Sequence, residues 1–377
     1  MMENLTCEPL LLICNASAPY QVDQVCTQLV SLAPQGCKIA GSTSCLGAMN
    51  DHGFHAEDGF GLSLIAFSDD KGDFGIALLS QGDKPSQAAA DAVSRAIKNA
   101  DRPGELPDLI WLSAAPGHEE DVLAGIASVV GPSVPVVGGS SGDNTISGEW
   151  WQFSMQAVEQ DGVLVIAMYP ECKLGISFHS GYAPTSNAGI VTKSYGRTIH
   201  TIDDLPAAEV YNRWTNGLIE QNLGGGNILA TSTFSPLGLE AGRIENIPYY
   251  ALMHPEQVLE DGSITLFSNI STGDHIRLME GSPESLTSRA GTVTQGIIDR
   301  HNWSEDQLAG ALVIYCAGCM LGIRERMDQV SDGIHQALGG KPFQGSFTFG
   351  EQGCFTDGIN RHANLMIAVV IFSNRAE

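Results

Sequence analysis

The chain has 377 residues, of which 43% are hydrophobic and 16% are charged. This composition is typical of a folded protein, and the length predicts two domains or one intertwined pair. The net charge at neutral pH is −24, from 43 acidic and 19 basic side chains. Such a field repels phosphate backbones and anionic lipids, so we expect neither a nucleic-acid partner nor a membrane partner.

The apolar run PLLLIC at residues 9–14 is too short for a secretion signal and lacks the basic flank of one. No apolar run approaches the roughly 20 residues that a membrane span needs. The sequence therefore predicts a cytoplasmic protein. Its nine cysteines are then expected to be thiols, metal ligands or redox groups rather than a disulfide framework.

A unit of four predicted elements occurs three times along the chain. The first copy has a strand at 9–14, a helix at 22–32, the strand KIAGSTSCLG with its Gly/Ser end, and a closing strand at 61–67. The second copy has PDLIWLSAA, the helix EEDVLAGIASVV, VPVVGGSSGDN and GVLVIAMY. The third has ALVIYCAG, the helix ERMDQVSDGIHQALG, KPFQGSFTFGEQG and NLMIAVVIF.

A strand, a crossover helix and a second strand form the unit that makes parallel pairs in a sheet. The closing strand is expected to return antiparallel. The sequence thus predicts an α/β fold with mixed sheets, built from repeated strand–helix–strand–strand units in two similar-sized halves. A different stretch lies between the second and third copies, at about 172–300, with predicted strands and a helix opened by Pro206.

The three Gly/Ser segments follow the carboxyl ends of predicted strands, where ligands collect in parallel α/β sheets. They are expected to line one cleft for a small polar or anionic ligand with backbone N–H groups and hydroxyls. The candidate ligand-binding residues are Ser42, Gly138, Gly139, Ser140, Ser141, Gly345, Ser346 and Glu351. Glu351 could bind a ligand amine or stabilise its own turn.

Gly138-x-Ser140-x-Gly142 also spells the G-x-S-x-G of a hydrolase nucleophile elbow. That motif requires a helix directly after the serine, and a run of turn-forming residues follows here instead. A serine or cysteine nucleophile is therefore the lesser alternative, and we expect no enzymatic activity.

Cysteines fall at equivalent places in the first and third copies. If the two copies face one another, five thiols could converge on zinc or form a redox site: Cys14, Cys45, Cys316, Cys319 and Cys354. The alternative is a set of inert buried cysteines.

Several of these segments resemble the FIST sensory domain family. KIAGSTS, VPVVGGSSGDN and WQFSMQAVEQDGVLVIAMY resemble its N-terminal half, and DLPAAEVYNRW, DHIRLMEGSPESL, ALVIYCAGCMLG and PFQGSFTFGEQG resemble its C-terminal half. The most specific match is the GEQG ending together with Cys316 upstream of it. In many members an arginine stands where this chain has Cys319, so a ligand role of that arginine does not transfer.

The resemblance implies an N-terminal half at 1–195 and a C-terminal half at 196–377. It implies a sensor of a small ligand, such as an amino acid, that signals to a separate histidine kinase or cyclic-di-GMP enzyme. One group of stand-alone members resembles haem-binding nitric-oxide sensors. No motif places a haem ligand here, and His254 and His179 are the candidates. The ligand's identity and the oligomeric state are not indicated.

Overall fold

The computed structural model describes residues 8–374. The described chain is a mixed α/β fold with four sheets, as the sequence predicts. Three of the sheets belong to the three repeated units, and the fourth is formed by the stretch between the second and third copies. Within residues 8–374, no helix is long and apolar enough to cross a membrane.

The first unit is a small sheet with one crossover helix. Its elements are β1 (Leu11–Ser17), α1 (Val22–Leu32), β2 (Lys38–Ser44), β3 (Ala48–Asn50), β4 (Gly53–His55) and β5 (Leu62–Phe67). The strand β1 lies in the middle, parallel to β2 and antiparallel to β5. The predicted helix and the antiparallel closing strand are confirmed.

The second unit has the same core with an additional strand and helix in front of it. Its elements are β6 (Asp73–Ser80), α2 (Pro85–Asn99), β7 (Leu109–Ala114), α3 (Glu119–Val130), β8 (Val136–Ser140), β9 (Gln152–Ser154), β10 (Val158–Glu159) and β11 (Gly162–Tyr169). The strand β7 pairs parallel to β8 and antiparallel to β11, and β6 pairs with the other side of β11.

The third unit begins with β12 (Leu174–Ser180) and is then interrupted by an insertion at 183–280. The elements of the insertion are β13 (Ala183–Tyr195), β14 (Thr198–Ile202), β15 (Leu205–Pro206), α4 (Ala207–Trp214), β16 (Gly226–Asn227), α5 (Leu229–Ser232), β17 (Leu237–Ile244), β18 (Ile247–Met253), β19 (Pro255–Val258), β20 (Ile264–Leu266) and β21 (His275–Glu280). These strands form their own sheet. The boundary expected at 195/196 falls in the turn between β13 and β14.

The third unit continues after the insertion. Its remaining elements are α6 (Pro283–His301), β22 (Leu308–Cys316), α7 (Ala317–Gly322), α8 (Met327–Ala337), β23 (Phe343–Thr348), β24 (Glu351–Cys354), β25 (Asn360–Ala363) and β26 (Met366–Ser373). The strand β22 pairs parallel to β23 and antiparallel to β26, and β12 pairs with the other side of β26. The third unit therefore repeats the second, with β12 and α6 in the places of β6 and α2.

The three units exchange strands in a ring. After its Gly/Ser end, each unit sends a short strand to a neighbouring sheet: β3 pairs with β23, β24 pairs with β8, and β9 pairs with β2. No unit therefore has a complete sheet of its own. This exchange brings the three Gly/Ser ends together at the centre of the molecule.

Candidate functional site

The three Gly/Ser segments are the last residues of β2, β8 and β23, and they are bonded to one another in the buried centre. The Phe347 backbone N–H donates to Ser44 Oγ at 2.8 Å. The Ser140 N–H donates to the Gly350 carbonyl at 2.7 Å, and the Gly142 N–H donates to the Thr43 carbonyl at 3.2 Å. Their polar groups thus satisfy each other where three sheets meet.

The glycines of these segments allow close approach of neighbouring strands. A Cβ atom on Gly139 would lie 2.4 Å from Thr348 Cγ2, one on Gly138 2.0 Å from the Leu112 carbonyl oxygen, and one on Gly345 2.6 Å from Met49 Cε. None of the three has a positive φ. The close approach of strands, within the second unit at Gly138 and between units at Gly139 and Gly345, therefore explains these glycines.

The predicted serines are also buried and bonded within the protein. Ser42 Oγ donates to Asn15 Oδ1 at 3.3 Å, and Ser141 Oγ accepts from Gln152 Nε2 at 2.8 Å. Ser346 is 3% exposed. The structure brings the three segments together as predicted, but as a packed junction.

Ser140 is hydrogen-bonded to a network of charged side chains. Its hydroxyl, fully buried, donates to Glu119 Oε1 at 2.8 Å. Arg197, in the turn between β13 and β14, donates to Glu119 Oε2 at 2.6 Å and to Glu120 Oε2 at 2.7 Å. The network therefore joins the insertion to the first turn of α3 and to the central junction.

The environment of Glu119 favours the charged carboxylate. Burial raises its pKa, but the positive charges of His362 and Arg197, with hydrogen bonds from Arg197 and the Gly117 N–H, outweigh burial and lower the pKa to about 2. A buried carboxylate with these partners is a stable anion at neutral pH. The Ser140 hydroxyl donates its hydrogen bond to that anion.

His362 extends the network to the surface of a cleft. Gln352 Nε2 lies 3.4 Å from Ser140 Oγ and 3.2 Å from His362 Nδ1, and His362 Nε2 lies 3.1 Å from the Phe267 carbonyl oxygen. The ring nitrogen Nε2 therefore donates to the insertion, and Nδ1 faces the side-chain amide of Gln352.

The cleft next to His362 has a volume of about 500 Å³. It lies between α3, the β17–β18 hairpin, the loop after β20 and the strand β25. Its apolar wall includes Leu123, Ala127, Leu239, Leu252 and Met253, and its polar residues include Glu120, Glu240, Ser268, Asn269, Arg361 and His362. A concave site with an apolar wall and a few polar groups is the usual form of a small-molecule site.

The charged groups of the cleft have partners on the protein. Arg361 donates to both carboxylate oxygens of Asp357, at 2.9 and 2.8 Å, and Glu240 pairs with Arg243. Ser268 differs, because its Oγ is buried without a hydrogen-bond partner and the residue is 5% exposed. A buried hydroxyl of this kind costs free energy unless a ligand or water satisfies it.

Glu351 lies away from this cleft, fully buried behind the central junction. It accepts hydrogen bonds from Thr348 Oγ1 at 2.8 Å and from the Met366 N–H at 3.0 Å. Burial raises its pKa well above the usual range, and the neighbouring Cys316 raises it further. These contacts hold the strand β24 against the start of β26.

The predicted cysteines separate into different sites. Cys316 hydrogen-bonds to Cys319 and lies near Cys45, whereas Cys14 packs with Cys26 in the first unit. Cys354 lies near Asp357 and Arg361. Within residues 8–374, no three His, Cys, Asp or Glu side chains form a group that could hold a metal ion.

Burial favours the protonated form of four of these thiols. It raises the pKa of Cys14 and of Cys45 to about 12, and it raises those of Cys316 and Cys354. Since metal binding and nucleophilic attack both require the thiolate, this environment opposes both.

The two histidines proposed for haem lie in packed surroundings. His254 is 4% exposed, and its Nε2 donates to the Leu229 carbonyl at 2.9 Å. Desolvation lowers the pKa of His254 and of His179, each to about 4. Neither ring lines the 500 Å³ cleft.

Among the residues of the charged network and of the cleft, the sequence singles out only Ser140 as a site candidate. Glu119 and Glu120 fit the ordinary preference of acidic residues for a helix start, and Arg197 lies 78 residues from Glu119. The adjacent Arg361 and His362 stand out in the sequence as charge beyond Glu351, but the pattern assigns them no role.

Residues 10–205 match the FIST N domain, and residues 207–354 match the FIST C domain. No curated protein matches. Two solved structures from Thermotoga maritima are similar to part of the chain at 11% identity, PurLQS and PurL complexed with ATP. The match to PurLQS covers 81% of this chain and 73% of the PurLQS chain, with a TM-score of 0.25. The match to PurL covers 80% of this chain and 71% of the PurL chain, with a TM-score of 0.24. The chain belongs to the FIST family, whose domains are sensors that bind small ligands.

Proposed function

We propose that this chain senses a small uncharged or zwitterionic metabolite, such as an amino acid with an apolar side chain, that binds in the cleft beside His362. The observation that carries the proposal is Ser268, which lines that cleft and whose buried Oγ has no hydrogen-bond partner among the described residues. A ligand carbonyl or carboxylate there would accept its hydrogen bond.

The charge balance of the cleft supports this class of ligand. Arg361, Glu120 and Glu240 each have an ion-pair partner on the protein. A ligand with a net charge would be buried without a free counter-charge, which is costly. A zwitterion can share Arg361 and Glu120 while its apolar part packs on Leu123 and Met253.

The experiment is calorimetry of the purified protein with a panel of apolar amino acids and their amides. Filling the cleft with Ala127→Leu is expected to weaken binding roughly tenfold or more, since the added side chain occupies the apolar wall. Ser268→Ala removes the free hydroxyl and is expected to weaken binding by a smaller factor.

Ala90→Leu on α2 is the control, because it adds the same volume away from the cleft. If no member of the panel binds, or if Ala127→Leu and Ala90→Leu bind equally well, the cleft is not the ligand site.

A haem-loaded, nitric-oxide-responsive form is a narrower proposal supported by the family resemblance. Its test is the visible absorption spectrum of the freshly purified protein, before and after addition of haem. A Soret band that is lost in His254→Ala or His179→Ala would support it, and the absence of such a band after haem addition would reject it.

A zinc or thiol redox sensor is the alternative supported by the contact of Cys316 with Cys319. Metal analysis of the protein and of Cys316→Ser and Cys354→Ser tests it: bound zinc that is lost in either variant would support it, and zinc-free protein with unreactive thiols would reject it.

The output is proposed to pass from the cytoplasmic sensor to a separate histidine kinase or cyclic-di-GMP enzyme. This part of the proposal is supported by the family resemblance. Its test is whether the purified protein changes the rate of such an enzyme from the same cells, and whether Ala127→Leu removes the response to the metabolite.

A further inference from the structure

The first unit has an unpaired sheet edge among the described residues. At the equivalent edge, each of the other two units has an additional strand. The closing strand β11 has β6 as a further antiparallel neighbour, and β26 has β12. All residues of β11 and of β26 are buried. The equivalent strand β5 pairs only with β1 among the described residues, and Ser63 is its only fully buried residue. The repeat thus shows where an additional strand would fit.

The edge of β5 lacks the usual protection against strand addition. Its sequence LSLIAF contains no charged residue and no proline, and its pairing with β1 has no bulge. Natural proteins normally block an exposed edge with one of these features. An unblocked apolar edge is a template for another strand.

An apolar groove adjoins this edge. It has a volume of about 490 Å³ and lies between α1 and the start of β5, with Tyr20, Val25, Leu29, Leu32 and Leu62 in its lining. Leu32 is 77% exposed. In strand addition, such a groove takes alternate side chains of the added strand.

The expected occupant of the β5 edge is a strand alone, without a helix packed against α1. In the second and third units a second helix packs closely on the crossover helix at a glycine. A Cβ on Gly125 of α3 would lie 2.0 Å from the carbonyl oxygen of Ser86 in α2. A Cβ on Gly291 of α6 would lie 2.8 Å from the carbonyl oxygen of Gly333 in α8. The seventh residue of α3 and of α8 is glycine, whereas the seventh residue of α1 is Gln28. The longer side chain opposes the close helix packing of the other two units.

Charge indicates what kind of strand would bind. Exposed acidic residues precede β5 (Glu57 and Asp58), and Asp69 and Asp70 follow it. In an antiparallel pair of two β5 strands, the acidic residues at the start of one would face those at the end of the other, which is unfavourable. A second copy of the chain is therefore a poor occupant, and a strand with basic flanks is a good one.

We propose that β5 and the groove beside α1 form a docking site for an extended segment of a partner protein, with apolar residues between basic flanks, which adds antiparallel to β5. The proposal does not depend on the ligand cleft. Main-chain hydrogen bonds would supply much of the affinity, and the acidic flanks would select the basic partner.

The test uses a peptide with the sequence of Phe74–Leu79, the β6 segment that fills the equivalent edge, between two pairs of lysines. Hydrogen exchange is measured on the full chain with and without this peptide. The expected result is fast exchange in the free protein at those amides of residues 62–67 that point away from β1, and protection of these amides when the peptide is bound. The same peptide between two pairs of glutamates is expected to bind roughly tenfold or more weakly.

Variants locate the groove. Leu32→Glu is expected to weaken the lysine-flanked peptide roughly tenfold or more, because it places a charge in the apolar groove. Leu106→Glu alters a similarly exposed leucine in the second unit and is expected to leave the affinity unchanged.

Three results would overturn the proposal. The first is no protection of residues 62–67 by either peptide. The second is protection, in the free monomer, of the amides that point away from β1, which would show that the chain itself covers the edge. The third is a dimer with protected β5 amides, which would make the edge an interface between two copies.

Discussion

Arg197 donates to Glu119 Oε2 at 2.6 Å, and this contact ties the insertion to the second unit across 78 residues of sequence. Glu119 also accepts from Ser140 at the central junction, while the adjacent Glu120 lines the cleft. A ligand that moves the insertion relative to α3 would therefore act directly on this ion pair.

Removal of Arg197 is expected to destabilise the protein strongly. The Glu119 carboxylate is 3% exposed, and Arg197→Met removes the guanidinium that is hydrogen-bonded to it; breaking a buried pair in this way typically costs about 3–5 kcal/mol. Urea unfolding at pH 7 measures the change. The double variant Arg197→Met/Glu119→Gln is expected to recover part of the loss.

The exposed pair Arg243–Glu240 serves as the comparison. Because water screens both side chains, Arg243→Met is expected to change the unfolding free energy far less than Arg197→Met. Equal effects of the two substitutions would show that the Glu119 site is not a buried ion pair in solution.

The Glu119 carboxylate also predicts a pH dependence. Its folded pKa is lowered from 4.5 to about 2, so its stabilising contribution is fully present above pH 4.5 and is lost as the pH falls towards 2. The difference in unfolding free energy between the wild-type protein and Glu119→Gln should therefore shrink over this range. A difference that stays constant from pH 5 to pH 2.5 would contradict the assignment.

The repeated units could be predicted because each element has a strong local pattern. The helices at 22–32 and 119–130 have the predicted bounds, and the closing strands return antiparallel as expected. Short apolar runs bounded by glycine and serine identify strands well, and their order repeats along the chain.

The exchange of strands between units could not be predicted in this way. The strand β3 has three residues, and its partner β23 lies about 300 residues away in sequence. Without this exchange, the glycine-rich segments look like open loops at the edge of a sheet. The same long-range pairing turns Ser140 from a candidate ligand residue into a buried donor to Glu119.

The insertion also obscured the third unit. The strand β12 and the helix α6 lie within the stretch that looked distinct from the repeat, because the insertion separates them. Their counterparts in the second unit, β6 and α2, are joined by residues 81–84 and also lie outside the predicted four-element unit.

Glu351→Gln is expected to stabilise the protein at neutral and higher pH. The folded pKa of Glu351 lies well above its usual value, so its contribution becomes increasingly unfavourable as the pH rises above 4.5, where the unfolded side chain ionises. The glutamine amide stays neutral and can keep the contacts with Thr348 and the Met366 N–H. Thermal unfolding between pH 4.5 and 8.5 should show an advantage for Glu351→Gln that grows with pH.

Glu351→Leu is the comparison for this prediction. It is also neutral, but it leaves the buried Met366 N–H without an acceptor, which is expected to cost about 1–3 kcal/mol. If Glu351→Gln were as unstable as Glu351→Leu at pH 8, the carboxylate would be an ionised and satisfied group, contrary to its burial.

Gly139→Ala is expected to disturb the central junction, although it adds a single methyl group. The new Cβ would lie 2.4 Å from Thr348 Cγ2, closer than two carbon atoms can approach, and overpacking of this kind costs about 1–3 kcal/mol. Thr348→Ser in the same chain removes the Cγ2 atom and can keep the hydroxyl bond to Glu351, so it should restore part of the stability. Denaturant unfolding of the two single variants and the double variant measures the coupling. Additive effects would show that β8 and β23 do not meet at this contact, and the interlocked arrangement of the second and third units would then be wrong.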